Sequence, residues 1–410
     1  MSKEISFIHA ADLHLDTPFK GLANIPEHIF DDIRNSTFIA LDRIVTAAIQ
    51  KQVDFVLMVG DLFDHENQSL QAQIRLRKAF EQLARHRIAV YMSYGNHDYL
   101  NGNIFPMTYP DNVHIFPDEK VRQFIYEKNG QEMAAIYGFS YENQSVQEKK
   151  ATEYRVMNEQ IPFHIATLHG SLATNTDHDT YAPFRVSDLL LEPFDYWALG
   201  HIHERDILKK DPFIVYPGNT QGRHRKETGD KGCYYVTMTE TSTELSFIST
   251  QAIVFNHVEI DVSSCNTIRQ LERLLTTALT SEMNKDMPQL IHLTFKGDHE
   301  EVRAWKEHDY FDELVDVIND SFLYQNDWIY IYEYAVQTQF STDAYPTFEE
   351  GDHFFKELEQ MFRSTSIQPY LQDLYQHRQA RKYLQPLSDE EEQHIKSEAY
   401  QLLMYHLLKE

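Results

Sequence analysis

Five separated clusters in this sequence carry Asp, His and Asn at spacings suited to metal chemistry: Asp12-Leu13-His14, Gly60-Asp61, Gly95-Asn96-His97-Asp98, His169-Gly170 and Gly200-His201-Ile202-His203. Carboxylate and amide oxygens suit hard divalent ions such as manganese or magnesium. Imidazole nitrogen suits manganese, iron or zinc, so the mixed set points to a pair of transition-metal ions. A single aspartate bridging two ions about 3.5 to 4 Å apart would let such a pair activate a water and clamp both oxygens of an in-line phosphoryl displacement. Phosphoester hydrolysis is the chemistry implied. Taken singly, each residue has a duller reading: Asp12 or Asp61 as a helix N-cap, Asn96 as a turn residue, His169 as a satisfied core histidine. Their joint occurrence argues otherwise. A Gly-His-x-His string arises by chance only roughly 0.04 times in 410 residues holding 14 glycines and 21 histidines, and the full ordered set is rarer.

The elements that must position these clusters are legible in the hydrophobic pattern. ISFIHAA leads into Asp12, an amphipathic helix follows over about 28–51, and DFVLMVGD reads as a buried strand ending at Asp61. A second helix, with Ser69 as cap, precedes IAVYMSYGNHD, a third strand ending at Asn96. This β-α-β-α-β order predicts a parallel sheet covered on both faces, with ligands at the carboxyl ends of the strands. Residues two apart on a strand share a face, so Asp12 with His14 and His201 with His203 are expected to converge. Further strands read as 133–140, 163–170, 196–201, 213–219 and 233–238, with antiparallel pairs toward the end. The pattern predicts a metal-bearing domain over 1–253, a small α+β cap domain over 254–345 and a helical segment over 346–410. In that last segment Phe354, Phe355, Leu358, Met361 and Phe362 form one apolar face, and Ile395, Ala399, Leu402, Leu403 and Leu407 another, behind a capping box at Ser388 and Glu391.

Composition narrows the setting. Net charge is −26, with 24 basic against 34 acidic residues up to position 250 and 13 against 29 beyond it. Such a balance provides no electrostatic footprint for nucleic acid, an objection that any DNA substrate must overcome. Two cysteines, Cys233 and Cys265, support neither a disulfide framework nor a thiolate zinc site. No apolar stretch approaches bilayer length and the start runs straight into a strand, so a soluble, cytoplasmic chain without membrane attachment is expected. The densest positive cluster before residue 250 is Arg223-His224-Arg225-Lys226, after the Pro217-Gly218-Asn219 turn. It is a candidate phosphate grip, against the plainer alternative of a solvated charged face. Phe19 and Tyr99 are candidates for packing on substrate, with core or rim packing the default.

The ordered set Asp-x-His, Gly-Asp, Gly-Asn-His-Asp, His, Gly-His-x-His resembles the calcineurin-like metallophosphoesterases. HAADLHLD, GDLFD, YGNHD and GHIHE followed by YPGN look like the DNA-repair branch that contains the SbcD-type exonuclease subunits, and HLDTPF with PGNTQGRHRKETGDKG is similar to its shorter YhaO-type members. The resemblance is strong over about 5–240 and weak beyond. It implies an α/β fold: a four-layer β-sandwich flanked by helices, followed by the small cap domain and the helical C-terminal segment. It also implies a ligand set. One ion would take Asp12, His14, Asp61 and His203, and the other Asp61, Asn96, His169 and His201, with Asp61 as the bridge. His97 would face the scissile phosphate to stabilise charge or protonate the leaving oxygen, and Asp98 would hold the orientation of its ring. Some nucleases of this branch carry a second histidine three positions after the bridging Asp. Here that position is Asp64, followed by His65, which either takes over the role or is a solvated loop residue.

The resemblance thus implies a manganese-dependent DNA exonuclease of DNA repair, with iron, magnesium or zinc as alternative ions. Its partner would be an SMC-like coiled-coil ATPase of SbcC type, which would engage the DNA that an acidic chain repels. The alternative is a small-molecule phosphodiesterase or phosphatase acting without a partner, and a homodimer is left open. A non-catalytic scaffold fits poorly with an intact His97 and seven ligand-type residues.

Overall fold

Three apolar runs become the central strands β1 (Glu4–Ala11), β2 (Phe55–Val59) and β3 (Ala89–Ser93), each largely buried on both faces. The helices between them owe their placement to their apolar stripes. α1 (Glu27–Lys51) buries Ile29, Ile33, Leu41, Ile44 and Ala48 and stops where Gln52 turns left-handed, its N–H reaching the carbonyls of Ala48 and Ile49. α2 (Leu70–Arg85) starts at the expected cap, Ser69, whose Oγ accepts the Ala72 N–H at 3.1 Å.

The computed structural model describes residues 3–19, 22, 25–65, 68–102, 107–173, 181–282, 287–297, 299–325, 327–337 and 352–376, with 387, 388, 391–393, 395, 396, 399, 400 and 403 beyond them. Its next elements are β4 (Val113–Ile115), β5 (Arg122–Lys128), β6 (Gln131–Gly138), β7 (Phe163–His169), α3 (Val186–Leu189), β8 (Tyr196–Gly200), β9 (Asp206–Lys210), β10 (Phe213–Tyr216), β11 (Gly232–Thr239) and β12 (Thr243–Ser249). Two six-stranded sheets result, in the orders β12-β11-β1-β2-β3-β4 and β5-β6-β7-β8-β10-β9. The first is parallel from β1 to β4 with antiparallel β11 and β12 added. The second is parallel through β6, β7, β8 and β10, with antiparallel strands at both edges.

The sheets pack face to face through Phe7, Phe55, Val59, Ile165, Tyr196 and Val215. Helices α1 and α2 cover the outer face of the first through Leu41, Ile44, Leu76 and Phe80, and a layer with Tyr141, Tyr154, Phe184 and Phe194 covers the second. This is the four-layer α/β sandwich that the resemblance implies. Strands β4, β5, β9 and β12 are additions to the sequence reading: all four are edge strands, and all four lack the continuous buried run that marks the centre of a sheet.

Beyond the sandwich lie β13 (Val254–Asp261), α4 (Ile268–Glu282), β14 (Gln289–Lys296), α5 (Glu300–Glu307), α6 (Tyr310–Phe322) and β15 (Ile329–Gln337), with a three-stranded sheet in the order β13-β14-β15. By contacts the chain forms two compact units, Met1–Phe295 with Trp305–Val336, and Lys296–Ala304 with Gln337–Glu410. Within the first unit, Phe19, Ile29 and Ile33 share one apolar cluster with Ile253, Leu290 and Trp328, and the Trp328 indole N–H donates to Asp32 at 2.9 Å. Phe19 is therefore core.

The second unit contains α7 (Asp352–Ser364) and α8 (Gln368–Gln376). The expected capping box forms, with the Ser388 N–H on Glu391 Oε2 at 2.8 Å and the Glu391 N–H on Ser388 Oγ at 3.3 Å. Phe354, Met361 and Ile395 of the expected apolar faces are exposed, whereas Phe355, Leu402 and Leu407 fall outside the described side chains. Among the described residues, no helix is long and apolar enough to cross a membrane.

Candidate metal centre

All five clusters stand at the carboxyl ends of β1, β2, β3, β7 and β8, where the two sheets present adjoining edges. Asp12 and His14 lie past the end of β1, and His201 and His203 past β8, so strand alternation does not bring them together. Turns do: Asp12 (φ 52°), His14 (φ 42°), Asp61 (φ 49°) and His201 (φ 97°) all take positive φ. Non-glycine residues rarely do so, and each such residue costs on the order of 1–3 kcal/mol unless its surroundings hold it. Beside them Gly60, at φ 72°, leaves no room for a side chain, since a Cβ there would stand 2.3 Å from His169 Nδ1.

The seven ligand-type residues converge in two groups. Asp12, His14 and His203 offer atoms within 4.8 Å of one another, as do Asp12, Asp61 and His169. Asn96 Oδ1 joins the second group, 3.0 Å from His169 Nε2 and 3.2 Å from His201 Nδ1. Asp61 lies between the groups, its Oδ2 3.8 Å from His14 Nε2 and 3.5 Å from His169 Nε2. Asp12 also appears in both, and its carboxylate accepts the His201 N–H at 3.0 Å to each oxygen. His201 and His203 thus part company, one toward His169 and the other toward His14.

The electrostatics call for positive charge. Burial pushes Asp12 up to about 8 although His169 pulls it down, so at neutral pH its carboxyl needs a cation or a proton. Burial also opposes the charge on Asp61, but His169 and His14 outweigh that and hold Asp61 well below the usual carboxylate range. His169 runs the other way: burial lowers it, yet Asp61 and Asp12 lift it to about 9. His14, fully buried, is brought down to about 3 and stays neutral with a lone pair to offer. The donor geometry fits a divalent ion. His14 Nε2 and His203 Nε2 face each other at 3.1 Å. Two nitrogens each about 2.1 Å from one ion at right angles would stand about 3.0 Å apart.

His97 is only partly buried, where its neighbours Asn96 and Asp98 are fully so. Its backbone N–H donates to Asp61 Oδ1 at 3.0 Å, which ties its loop to the centre. The sequence reading has Asp98 orient the His97 ring, and the structure differs. His97 Nδ1 lies 2.8 Å from the carbonyl oxygen of Asp64, while Asp98 accepts backbone N–H groups of Leu62 at 2.7 Å and Gly95 at 2.7 Å. Asp98 therefore shapes the loops that carry Asp61 and Asn96, and burial lifts its carboxyl to about 7. His65 is exposed, 3.2 Å from Asp64.

The positive run is also arranged differently from a free phosphate grip. Arg223 Nη1 donates to Asp64 Oδ1 at 2.6 Å, His224 Nε2 lies 3.4 Å from Glu227, and Arg225 pairs with Glu333 at 3.0 Å. Each thus faces a carboxylate. Tyr99 packs at the rim of the cluster around Tyr141. Sequence reasoning passes over Glu227, a buried carboxylate whose Oε1 stands 2.6 Å from His203 Nδ1. Standing beside Lys226 in a charged run, it reads as a solvent-facing residue, and nothing in the local pattern marks it.

Comparison with known proteins places these features in a family context. The calcineurin-like phosphoesterase pattern matches residues 5–205. The uncharacterized metallophosphoesterase YhaO of Bacillus subtilis is 36% identical over 410 residues, covering 100% of this chain and 99% of that protein. Two archaeal proteins named DNA double-strand break repair protein Mre11 are more distant. That of Sulfolobus acidocaldarius is 23% identical over 82% of this chain and 87% of its own length, and that of Methanocaldococcus jannaschii 28% over 59% and 65%.

Proposed function

The chain belongs to the calcineurin-like phosphoesterase family and is a metal-dependent phosphodiesterase, and on that premise we propose that it is a manganese-dependent DNA exonuclease working beside an SMC-like coiled-coil ATPase. The observation that carries the chemistry is the position of Asp61 Oδ2 between the His14 and His169 sides of the cluster, with partly exposed His97 tied to Asp61 Oδ1 through its backbone N–H. Asp12, His14, Asp61 and His203 would hold one ion, and Asp61, Asn96, His169 and His201 the other. A divalent pair bound there would supply an activated water and positive charge to polarise a phosphate. His97 donates through Nδ1 to the Asp64 carbonyl, which aims Nε2 at the phosphate and lets it stabilise charge or protonate the departing oxygen. Asp98 keeps the Asp61 and Asn96 loops in register through the Leu62 and Gly95 N–H groups.

DNA as substrate is supported by the likeness to double-strand break repair proteins over most of the chain. The net charge of −26 and the ion-paired Arg223 and Arg225 favour a second reading, a small-molecule phosphodiesterase that needs no partner. In the first reading the ATPase supplies the basic surface for DNA, and residues 346–410 supply the dock for the ATPase. The deciding experiment offers the purified chain with manganese three substrates: bis-p-nitrophenyl phosphate, p-nitrophenyl phosphate and end-labelled linear duplex. The first reading expects cleavage of the diester and release of nucleotides from duplex ends, enhanced by the ATPase. Hydrolysis of the monoester with the duplex left intact, with or without the ATPase, rejects it in favour of the second.

A further inference from the structure

We infer that Glu227, Arg223 and Asp64 form a clasp that fixes His14 and His203 with Nε2 turned toward the same ion, and that this clasp sets the affinity of that one ion. The inference deepens the two-ion reading above and rests on it.

The clasp is built from three residues whose side chains are largely shielded from solvent. Glu227 has 6% of its side chain exposed, Asp64 10% and Arg223 15%. Glu227 Oε1 stands 2.6 Å from His203 Nδ1, a charge-assisted distance. Its other oxygen accepts the Asn219 side-chain amide at 2.8 Å and the Arg223 backbone N–H at 2.7 Å, so the carboxylate cannot rotate without losing both. At the opposite end, Asp64 Oδ1 accepts Arg223 Nη1 at 2.6 Å and stands 3.4 Å from His14 Nδ1, an ion-pair distance without hydrogen-bond geometry. The guanidinium spans the two carboxylates, with Nη2 3.6 Å from Glu227 Oε1. Each carboxylate backs one imidazole, and Arg223 joins them.

Which His203 nitrogen carries the proton follows from these distances. Arg223 Nη2 comes within 3.2 Å of His203 Nδ1, to which it could donate only if that nitrogen were bare. A bare Nδ1 would then face Glu227 Oε1 at 2.6 Å, acceptor against acceptor. The proton therefore sits on Nδ1 and donates to Glu227, and Nε2 is left with a lone pair 3.1 Å from His14 Nε2. A carboxylate behind a ligand histidine fixes its tautomer and raises its basicity, and its removal typically costs about 10–100-fold in metal affinity. Asp64 has a second use, because its backbone carbonyl holds His97 Nδ1 at 2.8 Å. The position that carries a second histidine in some nucleases of this branch thus serves here as a positioning residue for His14 and His97.

The test is manganese binding by titration calorimetry and electron paramagnetic resonance on the full chain and on Glu227→Gln and Asp64→Asn, beside the melting temperature of each protein without metal. Weakening of one ion by about 10–100-fold in each variant, with the other ion unchanged and the metal-free melting temperature preserved, supports the clasp. Unchanged affinity for both ions in Glu227→Gln overturns it. So does a matched loss of both ions together with a lower metal-free melting temperature, which would make the network a prop of the fold. If Glu227→Gln fails to fold, Asp64→Asn decides by the same criteria. If the unaltered chain does not bind two ions, the two-ion reading falls and the clasp with it, a result distinct from loss in the variants alone.

Discussion

Asp61 and His97 are linked by one hydrogen bond, the His97 N–H on Asp61 Oδ1 at 3.0 Å, yet their side chains are assigned different work. Asp61 stands between the two proposed ion positions, so Asp61→Asn is expected to compromise both ions where His203→Ala weakens one. His97→Asn keeps the backbone N–H and is expected to keep the full metal content while turnover of bis-p-nitrophenyl phosphate drops by roughly 10²- to 10⁴-fold, the usual cost of losing a positioned acid. Metal analysis beside steady-state kinetics checks the contrast. Parallel loss of metal and activity in His97→Asn would make His97 a structural prop. The seven ligand-type residues were legible in the sequence because their types and order are improbable by chance. The partners of those residues were not. Whether a carboxylate meets an imidazole, a backbone N–H or water depends on side-chain directions, and so Asp98 turned out to serve backbone N–H groups while Glu227, unmarked in its charged run, stands behind His203.

Element packing decides how closely the two sheets can bring their loops together. Gly200, at the end of β8, lies so near β2 that a Cβ on it would stand 2.1 Å from the Val59 carbonyl oxygen and 3.0 Å from His169 Nδ1. Gly200→Ala must push the β8 end away from β2, and it carries with it the His201 N–H that Asp12 accepts. The expected result is a lower melting temperature and weaker metal binding together, read by calorimetry and metal titration. Wild-type affinity in that variant would show that the sheet edges have slack. The strands and helices that position the site were readable because parallel strands covered on both faces leave long apolar runs, as in β2, β3, β7 and β8. Half-exposed edges such as β5 and β9 leave none. The convergence of Asp12 with His14 was foreseen for the wrong reason. Left-handed turns after the strands bring them to one place, and a periodicity of two says nothing about such turns.

On the scale of the whole molecule, the charge and the C-terminal unit bear on partners. Beyond residue 250 there are 13 basic against 29 acidic residues, a composition that repels free DNA and suits a basic protein surface. Phe354, Met361, Tyr370 and Leu374 on α7 and α8 are exposed, with Phe354 at 55% and Tyr370 at 79%. A chain ending near residue 345 is expected to keep its metals and its activity on bis-p-nitrophenyl phosphate but to lose co-purification with the ATPase. Insolubility or metal loss would assign the segment to the core, and retained binding would put the contact elsewhere. The proposed two-ion centre is tested most directly by titrating metal-free protein with manganese while bound ion and diester hydrolysis are followed in the same sample. Two ions per chain, with turnover rising as the second binds and vanishing on chelation, is the predicted result. A single bound ion at full turnover, or turnover that survives chelation, would contradict it.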